Sequence, residues 1–175
     1  MFKWLKNRAE KRQNAKNLFL LASEQSLHPH FYHAYQVTDS VLGRYEMLCI
    51  HICLVLERLR HEDNEKQISE LLTEILVEEL ELHYKEAAPK DASETEKINK
   101  LIAGFYERSA DYQKGLRLGK KQKIMKALSH HIFQSMNSGD ERSNDLSNYM
   151  IAVHNYLNSV PFHDIETANF TFVEP

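Results

Sequence analysis

The stretch from Val41 to Leu59 constrains this chain more than any other. Asp39 and Ser40, both good N-cap residues, stand just ahead of it. Val41, Leu42, Tyr45, Leu48, Cys49, Ile52, Leu56 and Leu59 then recur at three- and four-residue spacing, the period of one helix face. Met47, Ile50, Cys53, Leu54 and Val55 widen that stripe until most of the circumference is apolar. A helix apolar nearly all round has to be surrounded by others, so the segment predicts the central helix of an all-α bundle. Leu48, Ile52 and Leu56 are expected to be buried in it, with Leu101, Phe105, Leu128 and Tyr149 from other segments.

The rest of the chain agrees with a single domain of about six main helices. Its 175 residues suffice for one core, and its five Gly and four Pro are few. The first helix runs from about Phe2 to Ser26 and ends before Pro29, after which Phe31 to Tyr35 adds one short turn. The third spans about Glu65 to Glu86 and is broken by 87–91. Ser93 and Glu96 form a capping box that opens the fourth, with Gly115 and Gly119 as stops. A fifth carries Ile124, Met125, Leu128, Ile132, Phe133 and Met136, with Gly139 placed as a C-cap glycine. A sixth runs from about Ser143 to Ser159. Phe170 to Val173 reads as a short extended tail along the surface. Residues 1–26 are a basic N-terminal helix, part of or appended to the bundle, and 27–175 the helical domain. No apolar run approaches the roughly 18 residues of a membrane span, and the basic start lacks the apolar core of a secretory signal.

The net charge of −3 hides a strong asymmetry. Lys3, Lys6, Arg8, Lys11, Arg12 and Lys16 are opposed only by Glu10. The chain is acidic from Glu62 to Glu96, and a second basic cluster follows at Lys114, Arg117, Lys120, Lys121, Lys123 and Lys126. A charge run is by default a solvated face. Two basic clusters in one acidic chain also suit an anionic surface, phospholipid or ribosomal RNA. Phe2, Trp4 and Leu5 among the first lysines have the composition of an interfacial anchor, whose alternative is a solvated terminus.

Chemistry is sparse. No G-x-S-x-G, H-E-x-x-H, phosphate-binding loop or dinucleotide fingerprint occurs, so a non-enzymatic protein is expected. His28, His30 and His33 flank Pro29 and are the one weak metal-ligand candidate. Nothing nearby obviously completes a ligand set, so neither metal nor cofactor is expected. Cys49 and Cys53, one turn apart without C-x-x-C spacing, read as buried small hydrophobes, with His51 projecting elsewhere.

One constellation is more specific. An aromatic pair Phe31-Tyr32, then Tyr35, Val37, Asp39-Ser40-Val41, Gly43-Arg44-Tyr45-Glu46-Met47 and a helix closing on Arg58-Leu59-Arg60 resembles the central block of the ubiquinol–cytochrome c chaperone family. Phe105-Tyr106-x-Arg108, Ala110-x-Tyr112 and Leu116 are similar to its second block, and Asn169 to Pro175 is a weaker echo. The resemblance implies a helical, non-enzymatic assembly factor that binds newly made cytochrome b during biogenesis of the respiratory cytochrome bc complex. It also implies work beside a membrane, with cytochrome b or its nascent chain, the ribosome and an anionic bilayer as candidate partners, and no sequence-specific nucleic acid binding. A chain of this length without a long leader looks like a bacterial-type member, in the cytoplasm and peripheral on the inner membrane. The mitochondrial matrix side is the alternative. Within the motif, Phe31, Tyr32, Tyr35, Asp39, Gly43, Tyr45, Phe105, Tyr106, Arg108 and Tyr112 are expected to be structural. Gly43, costly in a helix by about 1 kcal/mol relative to Ala, implies close packing by another backbone. Phe2, Lys3, Trp4, Lys6, Arg8, Lys11, Arg12, Arg44, Lys120, Lys121 and Lys123 are the candidate client or surface contacts. A peripheral membrane or regulatory protein for another client is the second reading, and a small all-helical metalloprotein the third.

Overall fold

The computed structural model describes residues 2–60, 62–63, 67–87, 93–135 and 140–175, with backbone alone for 2–5, 84–87 and 93–94. Among the described residues the chain is entirely helical: α1 (Phe2–Ser26), α2 (Pro29–His33), α3 (Val41–Leu59), α4 (Gln67–Ala87), α5 (Ser93–Arg117), α6 (Lys121–His131), α7 (Glu141–Ser159) and α8 (Phe162–Glu166). Helix α3 is the hub. Met47, Ile50, Ile52, Cys53, Leu54, Val55 and Leu59 are fully covered on every side of it, by α1, α5 and α7. Helix α1 packs along α4, α5 along α6, and α6 along α7. The core joins Leu18 and Ala22 of α1, Leu72 and Leu76 of α4, Phe105 and Tyr112 of α5, Leu128 of α6 and Tyr149 and Val153 of α7.

Local caps fix the helix ends. The Ser40 hydroxyl accepts from the Gly43 amide at 3.1 Å and opens α3. Asp63 does the same for α4, its carboxylate accepting from the amides of Gln67 and Ser69, and Asp140 caps α7. A Cβ on Gly43 would stand 1.9 Å from the carbonyl oxygen of Thr38. The close backbone at this position is the chain's own approach to the helix, folded back over its first turn.

Several expectations need correcting. Two short helices, α2 and α8, join the six long ones, and α8 was not foreseen. Gly115 is not a stop: it lies inside α5, where a Cβ would meet Ile124 of α6 at 2.6 Å. Gly119, at φ +59, makes the turn. Helix α6 ends at His131, so Ile132 and Phe133 lie beyond it and Gln134 takes φ 47. Leu48, Leu56 and Leu101 are only partly buried, packed against the core from its edge. The extended tail is fastened to the bundle. Gln25 donates to the Val173 carbonyl at 3.2 Å, and the Phe172 ring stands edge-on to His51 at 5.1 Å. The 88–92 break, Glu65, Met136, Gly139 and the side chain of Ser93 lie outside the described residues.

Candidate functional site

The two ends of α3 differ in character, and they lie about 27 Å apart at the helical rise. At the N-terminal end, the last turns of α1, the first turns of α3, the second half of α4 and the start of α5 converge without closing. They leave a groove of about 590 Å³. Its floor is Phe19, Tyr45, Leu48, Leu76, Leu80 and Leu101, and its lips are Leu27, Val41, Leu42 and Leu82. Those four lip residues are 49–74% exposed. Tyr45 donates to the Leu101 carbonyl at 2.6 Å, which ties α3 to α5 beneath the groove. Among the lining residues, Arg44, Glu79 and His83 supply the polar rim. Arg44 is held by Asp39 at 2.8 Å, and that hydrogen bond keeps the Asp39 carboxyl below its ordinary range.

The basic clusters gather toward the opposite end. Lys11 donates to Gln67 at the start of α4, and Arg117 forms a forked pair with Glu57 in the last turns of α3 at 2.7–3.0 Å. Lys6 and Arg8 on α1, and Lys120 and Lys123 after α5, are exposed. Lys121 donates to Asn148 at 2.6 Å. Arg12 reaches across the surface to α4, bonding Glu78 at 2.6 and 2.8 Å and standing 3.8 Å from Glu74. Lys11 and Arg12 thus take part in the α1–α4 contact, and Arg12 stays exposed while doing so. The side chains of Phe2, Lys3 and Trp4 lie outside the described residues.

Between the two ends runs a line of buried polar groups that the apolar pattern of α3 conceals. Glu46, 2% exposed, takes two hydrogen bonds from the Arg108 guanidinium, whose face also lies over the Tyr45 ring at 5.9 Å. Arg58 donates to the carbonyls of Leu157 and Val160 at 2.8 and 3.0 Å, closing the end of α7. His51 is fully buried. Its Nδ1 is 2.7 Å from the Met47 carbonyl, which can only accept, so Nδ1 carries the proton. Nε2 then accepts from the Tyr149 hydroxyl at 2.8 Å, which itself accepts from Gln25 at 3.1 Å. A histidine and two glutamates inside an otherwise apolar helix were the signal that would have found these groups.

Phe31, Tyr32 and Tyr35 pack around this line, with Phe31 5.0 Å from the Tyr149 ring and Tyr32 donating to the Ser26 carbonyl at 2.6 Å. Phe105 and Tyr112 are core residues, but Tyr106 is 56% exposed and Arg44 lies on the surface. The three histidines do not converge. His28 accepts from the His30 amide and faces Glu174 at 3.2 Å, its ring 6.5 Å from that of His30, while His33 is exposed. Among the described residues no three His, Cys, Asp or Glu gather closely enough to hold a metal ion. Burial pushes the Cys53 thiol up to about 12 and raises that of Cys49 as well, so neither is poised for thiolate chemistry.

An open apolar groove on a rigid helical frame, with ionic groups committed to holding that frame, is the architecture of a binding protein. The chain belongs to the ubiquinol-cytochrome C chaperone family, whose model matches residues 33–172. In fold it is similar to the crystal structure of the Cbp3 homolog from Brucella abortus, with a TM-score of 0.83 over 99% of this chain and 97% of that one. At 21% identity that likeness speaks to the fold alone. No curated protein matches the sequence. No helix among the described residues is long and apolar enough to cross a membrane.

Proposed function

We propose that the protein holds newly made cytochrome b before its partner subunits cover it, gripping an apolar client segment in the groove at the N-terminal end of α3. The observation that carries this reading is the set of exposed Leu27, Val41, Leu42 and Leu82 around an apolar floor. Exposed apolar surface concentrated in one concavity marks an interaction site. A membrane-spanning helix is about 30 Å long and about 10 Å across, far more than 590 Å³ accommodates. The groove therefore grips a few side chains at i, i+3 or i+4 spacing on a client helix. Release needs no chemistry. The client leaves when assembly buries the gripped face, because the chaperone binds only the unassembled form.

The basic end supports a place beside an anionic bilayer on the cytoplasmic face. Each lysine or arginine near such a surface contributes about 1 kcal/mol, screened over roughly 8 Å at physiological salt. Lys6, Arg8, Lys120 and Lys123 are exposed, and none of them lines the apolar groove.

Purified protein is expected to capture cytochrome b from native membranes. Leu42→Asp or Leu82→Asp should cut that capture by about tenfold or more, equivalent to about 1.4 kcal/mol. Both residues are half-exposed, so thermal unfolding should stay where it was. Undiminished capture by these variants removes the groove from the mechanism, and failure of the unmodified protein to retain cytochrome b removes the function.

A further inference from the structure

A second concavity lies apart from the groove, between α4 and α5. These two helices meet at few points, which leaves Leu56 of α3 as an open floor between them. One part, about 630 Å³, is lined by Leu56, Val77, Tyr106 and the carboxylates of Glu70, Glu74 and Glu78. The other, about 510 Å³, shares Leu56, Thr73 and Tyr106 and reaches Arg60 and Asp63. The two form one trough.

Its chemistry is one-sided. Glu70, Glu74 and Glu78 recur every four residues along α4, while the facing wall of α5 offers Tyr106, Ser109, Ala110 and Gln113 and no basic group. Arg60, at the far end, is held by Glu57 at 3.2 Å. The acidic wall already accepts one guanidinium, since Arg12 bonds Glu78 and approaches Glu74 from the α1 side. On that side Arg8 and Lys11 also lie beside Glu70 and Glu74, whereas the trough side of the wall has no basic residue but Arg60. Tyr106 is 56% exposed, yet its ring is braced edge-on against the buried Phe105 at 5.6 Å. A braced, exposed tyrosine loses little freedom on contact, which is why such residues dominate binding energy at interfaces.

We propose that this trough is a second binding site, and that its occupant is a cationic amphipathic helix of a partner protein. Leu or Phe side chains at i, i+3 or i+4 and i+7 would rest on Leu56, Val77 and Tyr106, with lysines or arginines against the α4 carboxylates. The site does not depend on the client-binding reading, because it shares no lining residue with the groove at the N-terminal end of α3.

The test is fluorescence anisotropy of the full chain with a labelled amphipathic Leu/Lys peptide of roughly four helical turns, run across a salt series. A Leu/Glu peptide of the same pattern is the control. The Leu/Lys peptide is expected to bind, more weakly as salt rises. Tyr106→Ala and Glu70→Lys should each weaken it about tenfold at unchanged thermal stability, with Glu70→Gln intermediate, while Leu82→Asp leaves it unaffected. Binding that survives Tyr106→Ala, equal binding of the acidic peptide, or loss of binding in Leu82→Asp would overturn the proposal. So would self-association abolished by Tyr106→Ala, which would make a second copy of this chain the occupant.

Discussion

Replacing Arg108 by Ala is expected to destabilise the protein by about 3–5 kcal/mol, a large part of the stability of a domain this size. The reason is the carboxylate left behind. Glu46 is 2% exposed, and both hydrogen bonds to its carboxylate come from Arg108. Removing the guanidinium strands a charge that water cannot reach, and it also uncovers the face of Tyr45. The complementary experiment separates this cost from the worth of the pair. Glu46→Met together with Arg108→Met removes both charges and keeps most of the volume, so the double variant should recover most of the lost stability. Urea unfolding of the three proteins supplies the comparison. If Arg108→Ala costs less than about 1 kcal/mol, the pair is solvated and behaves like a surface ion pair.

That pair also shows where the sequence was legible and where it was not. The period from Val41 to Leu59 is so uninterrupted that a central helix is almost forced, and the prolines and turn residues then divide the flanking chain into helices that can only pack around it. Fold class follows from such local facts. The groove does not, because no single helix contains it. Leu48 and Leu101 have the spacing of core residues and look in sequence like Ile52 and Phe105. They are partly open because four helix ends converge at that corner without closing it. Leu56 is uncovered for a related reason, since α4 leans toward α1 and away from α5. Likewise Arg12 reads as one member of a basic run, and only the parallel packing of α1 on α4 brings it against Glu78. Glu46 and Glu57 are charges on an apolar helix, but their partners, Arg108 and Arg117, are some sixty residues away.

Stability is expected to fall as the pH is lowered from about 6.5 toward 4, and His51 supplies the slope. In the unfolded chain an imidazole titrates near 6.5, whereas burial pushes that of His51 down to about 4, against a smaller opposing pull from its bond to the Met47 carbonyl. The sign follows from which state binds the proton. Above about 6.5 neither does, and the neutral ring contributes no pH dependence. Below it the unfolded chain takes up a proton that the folded protein excludes, so the native state loses ground until the pH reaches the folded value. The interval of about 2.5 pH units corresponds to a loss of about 3 kcal/mol. The exclusion has a structural cause. Phe31, Phe172 and Tyr149 enclose the ring, and the hydroxyl of Tyr149 already donates its hydrogen bond to Nε2. Charging His51 would require that hydroxyl to turn round, where it already accepts from Gln25, the residue that also fastens the tail at Val173. The measurement is the free energy of unfolding against pH for the unmodified protein and for His51→Gln. All other groups are common to the two proteins, so the difference between the two curves isolates His51. The variant should start less stable at neutral pH and lie on a flatter curve below pH 6.5. Parallel curves across that interval would mean that the folded protein admits the proton, and the buried Gln25–Tyr149–His51 chain would then have to reorganise at a cost too small to matter.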